Sequence, residues 1–134
     1  MIPYLLAYAF AAVAFVAGDI TWLTVAGQRL YRPVIGPLLA DKLNGGAGVV
    51  FYVVYLSGVV ILAIGPALRA GSLRMAAVNG LVLGLVAYGT YDLTNQATLR
   101  LWSTRLTLID MTWGGCLTAA AAAIGFLAAS KLGR

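Results

Sequence analysis

The sequence contains no histidine, no glutamate and a single cysteine, Cys116. An internal disulfide is therefore excluded, and a Cys/His metal site cannot be assembled. The Ser-His-Asp and Cys-His mechanisms are excluded with them. Charge is scarce as well, at 10% of residues, while 62% are hydrophobic and the mean hydropathy is +0.94. A soluble domain is about 45–50% apolar and about 25% charged. A chain of 134 residues leaves too much of its surface exposed to hide this excess in water. A lone soluble enzyme and a disordered tail are both excluded.

What charge there is leans basic, with a net value of +5. The nine cations (Arg29, Arg32, Lys42, Arg69, Arg74, Arg100, Arg105, Lys131 and Arg134) fall in four clusters between apolar stretches. Charges at membrane surfaces are spaced in this way. No basic face with interleaved stacking aromatics is present, so no nucleic-acid partner is expected.

A membrane-crossing helix needs about 20 mostly apolar residues. Four segments qualify: about 2–26, 47–66, 75–96 and 106–129. They are long, rich in Ala and Leu, and do not alternate, which indicates helices and not the strands of a membrane barrel. The first segment lacks a basic leading region, and Asp19 and Trp22 stand where a signal peptide should end, so it is read as a mature helix. The longest connection, Gly27 to Gly46, holds Pro33, Pro37 and Gly45-Gly46. Within it, Tyr31 to Leu43 is expected to form a short interfacial helix with Leu38, Leu39 and Leu43 toward lipid. The other two connections are short and force antiparallel neighbours. The expected fold is all-α: one domain over residues 1–134, an up-down-up-down bundle of four transmembrane helices with both termini on one side. Connections one and three carry five cations, against four at the other side. The five-cation side is read as cytoplasmic, on a margin so thin that dual insertion stays open.

An internal echo is visible. Asp19-Ile20-Thr21 matches Asp92-Leu93-Thr94, and each is followed by Arg-Leu-aromatic, at Arg29-Leu30-Tyr31 and Arg100-Leu101-Trp102. Two duplicated hairpins would leave such a trace. Chance matching among common membrane residues would too.

Three of the four aspartates lie inside the spans. Each costs about 2.5–3.5 kcal/mol to insert at mid-membrane, so such residues usually face a bundle interior. Asp19 is seven residues from the end of the first span, Asp92 four from the end of the third, and Asp110 four into the fourth. At about 1.5 Å per residue, the alternating topology brings all three into one layer near the membrane face of connections one and three. Residues three and four apart share a helix face. Trp22 therefore joins Asp19, Tyr88 and Asn95 join Asp92, and Trp113 joins Asp110, while Tyr52 and Tyr55 enter the same layer from the second span. Gly80 and Gly84 form a GxxxG pair suited to close helix approach. The tryptophans, Trp102 among them, also suit the interfacial aromatic belt. Thr21, Thr94 and Thr112 are expected to bond carbonyls of their own helices. Cys116 is read as a small packing residue.

Around Tyr88-Gly89-Thr90-Tyr91-Asp92-Leu93-Thr94-Asn95 the chain resembles a family of small bacterial membrane proteins known as domain of unknown function 2177. Asp19 with Trp22-Leu23, Phe51-Tyr52 with Tyr55, and Asp110 with Trp113-Gly114 extend the resemblance along the whole chain. Gln96 departs from the pattern, where an apolar residue is expected. The resemblance implies a four-span protein of the bacterial inner membrane and transfers no reaction.

Three classes of function fit these residues. In the first, Asp92, supported by Asp19 and Asp110, serves proton- or cation-coupled transport or binding of a small solute, and four spans suggest a homodimer. Three carboxylates suit a proton relay or oxygen ligation of a hard cation. In the second, a membrane-embedded enzyme acts on a lipid or acyl chain. Asp92 or Asp110 is then the acid/base, Tyr88 and Asn95 orient the substrate, and arginines such as Arg100 and Arg105 hold a phosphate. No cofactor is expected, and redox chemistry would need a borrowed one. In the third, the protein is a non-catalytic assembly partner. Membrane lipids are the expected partners throughout.

Overall fold

The structure, a computed structural model, describes residues 1–133. Among these are four helices long and apolar enough to cross a membrane: α1, Ile2–Leu38; α2, Gly45–Ala70; α3, Leu73–Thr98; and α4, Thr104–Leu132. The expected all-α four-helix bundle is present. Three of the starts are set by side-chain caps. Asn44 accepts from the Ala47 amide at 3.1 Å, and Ser72 from Met75 and Ser103 from Leu106 at 3.2 Å each. Each cap answers an amide that the first helical turn leaves without a partner.

The largest difference from the sequence reading is at the end of α1. No separate interfacial helix forms over Tyr31–Leu43. The chain continues from Ala26 through a wider π-type turn, Gly27–Tyr31, a further α-helical turn, Arg32–Ile35, and a tight 3-10 turn, Gly36–Leu38. At 37 residues and about 1.5 Å per residue, α1 is much longer than the roughly 30 Å hydrocarbon layer. Its end is held by a small apolar cluster. Ile35 packs with Trp102 and Leu106, and Leu30, Tyr31 and Val34 close around them. Trp102 is thus a buried clamp rather than a member of an aromatic belt, and its indole donates to Thr107 Oγ1 at 3.0 Å.

A second wide turn, Val59–Ile64, precedes Pro66 in α2. Proline lacks the amide that would bond four residues back. That frees the Leu62 carbonyl, which accepts from Asn79 Nδ2 of α3 at 3.5 Å.

The core occupies the half of the bundle nearer the termini. Ala7, Ala11 and Phe15 of α1 meet Val59, Ala63 and Ile64 of α2, and Leu117, Ala121 and Ala122 of α4. Helices α3 and α4 approach backbone to backbone, as the Gly80/Gly84 pair led us to expect. A Cβ on Gly80 would lie 2.8 Å from the Thr118 carbonyl oxygen, and one on Gly84 would strike the Gly114 carbonyl. The first half of α2, Gly45–Gly58, packs on α1, while Val59–Ile64 packs on α3. The end of α2 nearer the aspartates therefore stands away from α3 and leaves a wedge between the two helices.

Candidate functional site

The wedge holds a cavity of about 630 Å³. All four helices line it: α1 with Asp19, Trp22, Tyr31 and Arg32, α2 with Phe51 and Tyr55, α3 with Tyr88 and Tyr91, and α4 with Asp110. Leu23, Ile35, Leu39 and Leu43 make its walls apolar away from the carboxylates. Phe15, one helical turn below Asp19, lies against Tyr55 with ring centroids 5.1 Å apart and joins the packed core beneath.

The three intramembrane aspartates are buried, Asp92 completely. Each reaches this layer from a different helix. Tyr52 donates to Asp19 Oδ2 at 2.6 Å. Tyr31 donates to Asp110 Oδ1, and the Trp22 indole donates to the Tyr31 hydroxyl at 3.0 Å. Trp22 in turn stacks on Trp113, centroids 4.6 Å apart and planes within 8°. Asp92 lies behind Asp110, within hydrogen-bonding reach of its carboxyl. Among the described residues, no hydrogen-bond donor reaches either Asp92 oxygen. Ionised carboxylates only accept, so a bond between these two requires a proton on one of them.

Tyr55 and Thr118 are 2.8 Å apart. The Thr118 hydroxyl already donates to the Gly114 carbonyl at 2.7 Å, so Tyr55 is the donor. Tyr88 and Tyr91 differ from Tyr31, Tyr52 and Tyr55: both line the cavity, and among the described residues neither hydroxyl has a hydrogen-bond partner. Tyr91 is exposed and packs edge-on against Trp102, and Tyr88 is the more buried of the two. The Tyr88 ring lies directly against Gly114, where any Cβ would collide with it.

Of the residues singled out from the sequence, Asp19, Asp110, Trp22, Tyr55 and Tyr88 line the cavity. Tyr52 reaches it through Asp19, Trp113 through Trp22, and Asp92 through Asp110. Asn95, Arg100 and Arg105 do not line it, and both arginines are exposed near the α3–α4 turn. Arg32 is the cation that does line it, among the described residues. Among the same residues, no three metal-ligating side chains come close enough to hold an ion. Asp19 is turned to Tyr52 and Asp92 to Asp110, so a shared layer does not become a cation cage. Thr21, Thr94 and Thr112 do bond their own helix carbonyls. Cys116 is exposed, beside Trp113 on an outer groove of about 460 Å³, and does not pack inside the bundle. Gln96, the departure from the family pattern, ties the α3–α4 hairpin. It accepts from Thr107 at 2.7 Å and donates to Thr104 at 2.9 Å.

Gln28, Tyr31, Arg32 and Tyr91 are polar residues of the cavity lining that sequence reasoning did not place in the site. Nine residues at 100° each would put Tyr31 on the opposite side of α1 from Trp22. The wide turn at Gly27–Tyr31 takes up part of that half-turn, and Tyr31 comes back over the aspartates. Such insertions recur at functional sites. Glycine and two prolines in this stretch read as breakers, and no local signal marks a helix that continues through them.

No curated protein and no solved structure matches the chain. A family model described as "Predicted membrane protein (DUF2177)" matches residues 4–127. The chain belongs to that family of membrane proteins.

Proposed function

We propose that this protein binds a membrane amphiphile, in the bacterial inner membrane, and performs acid–base chemistry on its head. The observation behind this reading is the cavity wedged between α2 and α3, with apolar walls and its carboxylates at one end. A pocket of about 300–1,000 Å³ suits a drug-sized ligand, so one chain with its head fits and a whole two-chain lipid does not. The chain would lie along Leu23, Ile35, Leu39 and Phe51. The head would meet Tyr88, Asp19 and Asp110. The Asp92–Asp110 pair provides the proton store: Asp110 gives a proton to the head or takes one from it, and Asp92 behind it exchanges the proton with Asp110. Tyr31 and Tyr52 hold Asp110 and Asp19 in place for that exchange.

Transport by one chain is less well supported. Beneath the layer Phe15, Val59, Ile64 and Leu117 form a packed apolar core, and among the described residues no polar path crosses it. An assembly role would not call for an apolar-walled cavity with buried carboxylates at one end.

Lipid mass spectrometry of a deletion strain tests the proposal. One amphiphile species should shift in abundance, return with the wild-type gene, and fail to return with Asp92→Asn. An unchanged lipid profile, together with no amphiphile co-purifying with the protein, would overturn it.

A further inference from the structure

We infer that the head of this amphiphile is a hydrogen-bond donor without negative charge, an alcohol or an amine, and that the site rejects phosphate. The inference rests on the amphiphile-binding reading above and specifies its ligand class.

The polar end of the cavity is rich in acceptors. Among the described residues, Asp19 receives a side-chain hydrogen bond from Tyr52 alone, and Asp110 receives one from Tyr31. Each has lone pairs to spare, because an ionised carboxylate accepts at about four positions. Behind them Asp92 is fully enclosed, and among the described residues no donor reaches it. The hydroxyls of Tyr88 and Tyr91 line the same cavity without a partner among the described residues, and each both donates and accepts; Tyr88 is the more buried of the two. An alcohol placed there accepts from Tyr88 and donates to Asp19 or Asp110. A primary ammonium donates to both carboxylates and to the Tyr88 oxygen. Either head satisfies the groups that face it.

A phosphate does not. It would bring further acceptors and negative charge against Asp19 and Asp110, and unpaired like charges in a desolvated pocket are a strong source of discrimination. The compensating cation would have to be Arg32, an exposed residue of the α1 extension. Arg100 and Arg105, the arginines of the phosphate-holding alternative, stand outside the lining.

Trp22 lines the cavity and also the outer groove beside Trp113, so it is saturable, head-dependent quenching that reports on the cavity. The full-length protein in nanodiscs would be titrated with three chain-brominated probes of equal length: an alkyl alcohol, an alkyl amine and an alkyl phosphate. Bromine quenches tryptophan on contact, and a Trp22→Phe protein, which keeps Trp102 and Trp113, measures their contribution so that it can be subtracted. The alcohol, the amine or both should quench Trp22 saturably, at least about tenfold more tightly than the phosphate. The arm that saturates identifies the head. Asp19→Asn should narrow the gap, and Asp110→Asn serves the same purpose if the first variant does not fold. Phosphate binding as tightly as the other two would overturn the head assignment and leave the amphiphile reading intact. Unsaturable quenching by all three would overturn both.

Discussion

Around Gly80 and Gly84 the helices of this bundle touch backbone to backbone, with alanine as the commonest filler. Around Asp19, Asp92 and Asp110 they are held apart by tyrosine and tryptophan rings, and a cavity of about 630 Å³ lies between them. Both regions sit within the same four helices and the same solvent. The contrast follows from what each side chain can do without water. Small residues let backbones approach and gain dispersion contacts, the main source of helix association in lipid. Carboxylates and phenols must instead find partners across helices, and that requirement fixes their distances. The packed half provides rigidity, and the polar half uses it to hold three carboxyl groups in register.

The comparison can be broken most severely from the packed side. Gly84→Leu places a side chain against the Gly114 carbonyl and the Gly115 backbone, which cannot yield as a flexible side chain would. It should cost about 3 kcal/mol or more, the upper range of overpacking, or prevent folding. Thermal unfolding in detergent would show this, with Gly58→Ala, which meets nothing within 4 Å, as the neutral control.

Gly114→Ala tests the seam between the halves. Its Cβ would meet the Tyr88 ring at its base. A destabilisation of about 1–3 kcal/mol is expected, together with lost probe quenching at Trp22. Full stability with full binding would show that Tyr88 has room to move and is not fixed by Gly114.

On the polar side, Tyr31→Phe removes the hydrogen bond to Asp110 and the acceptor for Trp22. Interhelical bonds of this kind are worth about 0.6 kcal/mol on average and up to about 1.7. The expected result is a loss in that range. Amide exchange should rise at Gly27–Leu38 and stay unchanged in α4 beyond Leu117. Asp92→Asn should cost no more than about 1–2 kcal/mol while abolishing restoration of the lipid profile. A larger stability loss, with restoration intact, would make Asp92 a structural residue and end the contrast between the halves. Cys116→Ala should have the smallest effect, within about 0.5 kcal/mol, because Cys116 is exposed on the outer groove. Maleimide labelling of the wild type should proceed without denaturant.

Much of the polar layer could be read from the chain because depth in a membrane helix is counted in residues. The offsets of Asp19, Asp92 and Asp110 from their span ends, together with alternating direction, put them on one side. Helical spacing then added Trp22, Tyr88 and Trp113. The same counting failed beyond Ala26. Gly27, Pro33 and Pro37 have the local chemistry of a loop, but the helix persists there because Ile35 docks on Trp102 and Leu106. Those partners are roughly 70 residues away in sequence, and no local rule reaches that far. Arg100 and Arg105 were drawn toward the layer by nearness in sequence to Asp92 and Asp110, and the turn between α3 and α4 points them outward.

The sequence by itself determined that this is a four-helix membrane protein with three of its four aspartates in one layer, because insertion energetics act on composition and spacing alone. Tertiary structure decided which acids pair, that Tyr31 joins them, and that α2 stands off α3 to leave a cavity. Those outcomes depend on distances between helices. Packing of small against large side chains sets such distances, and one helix does not encode the shape of its neighbour.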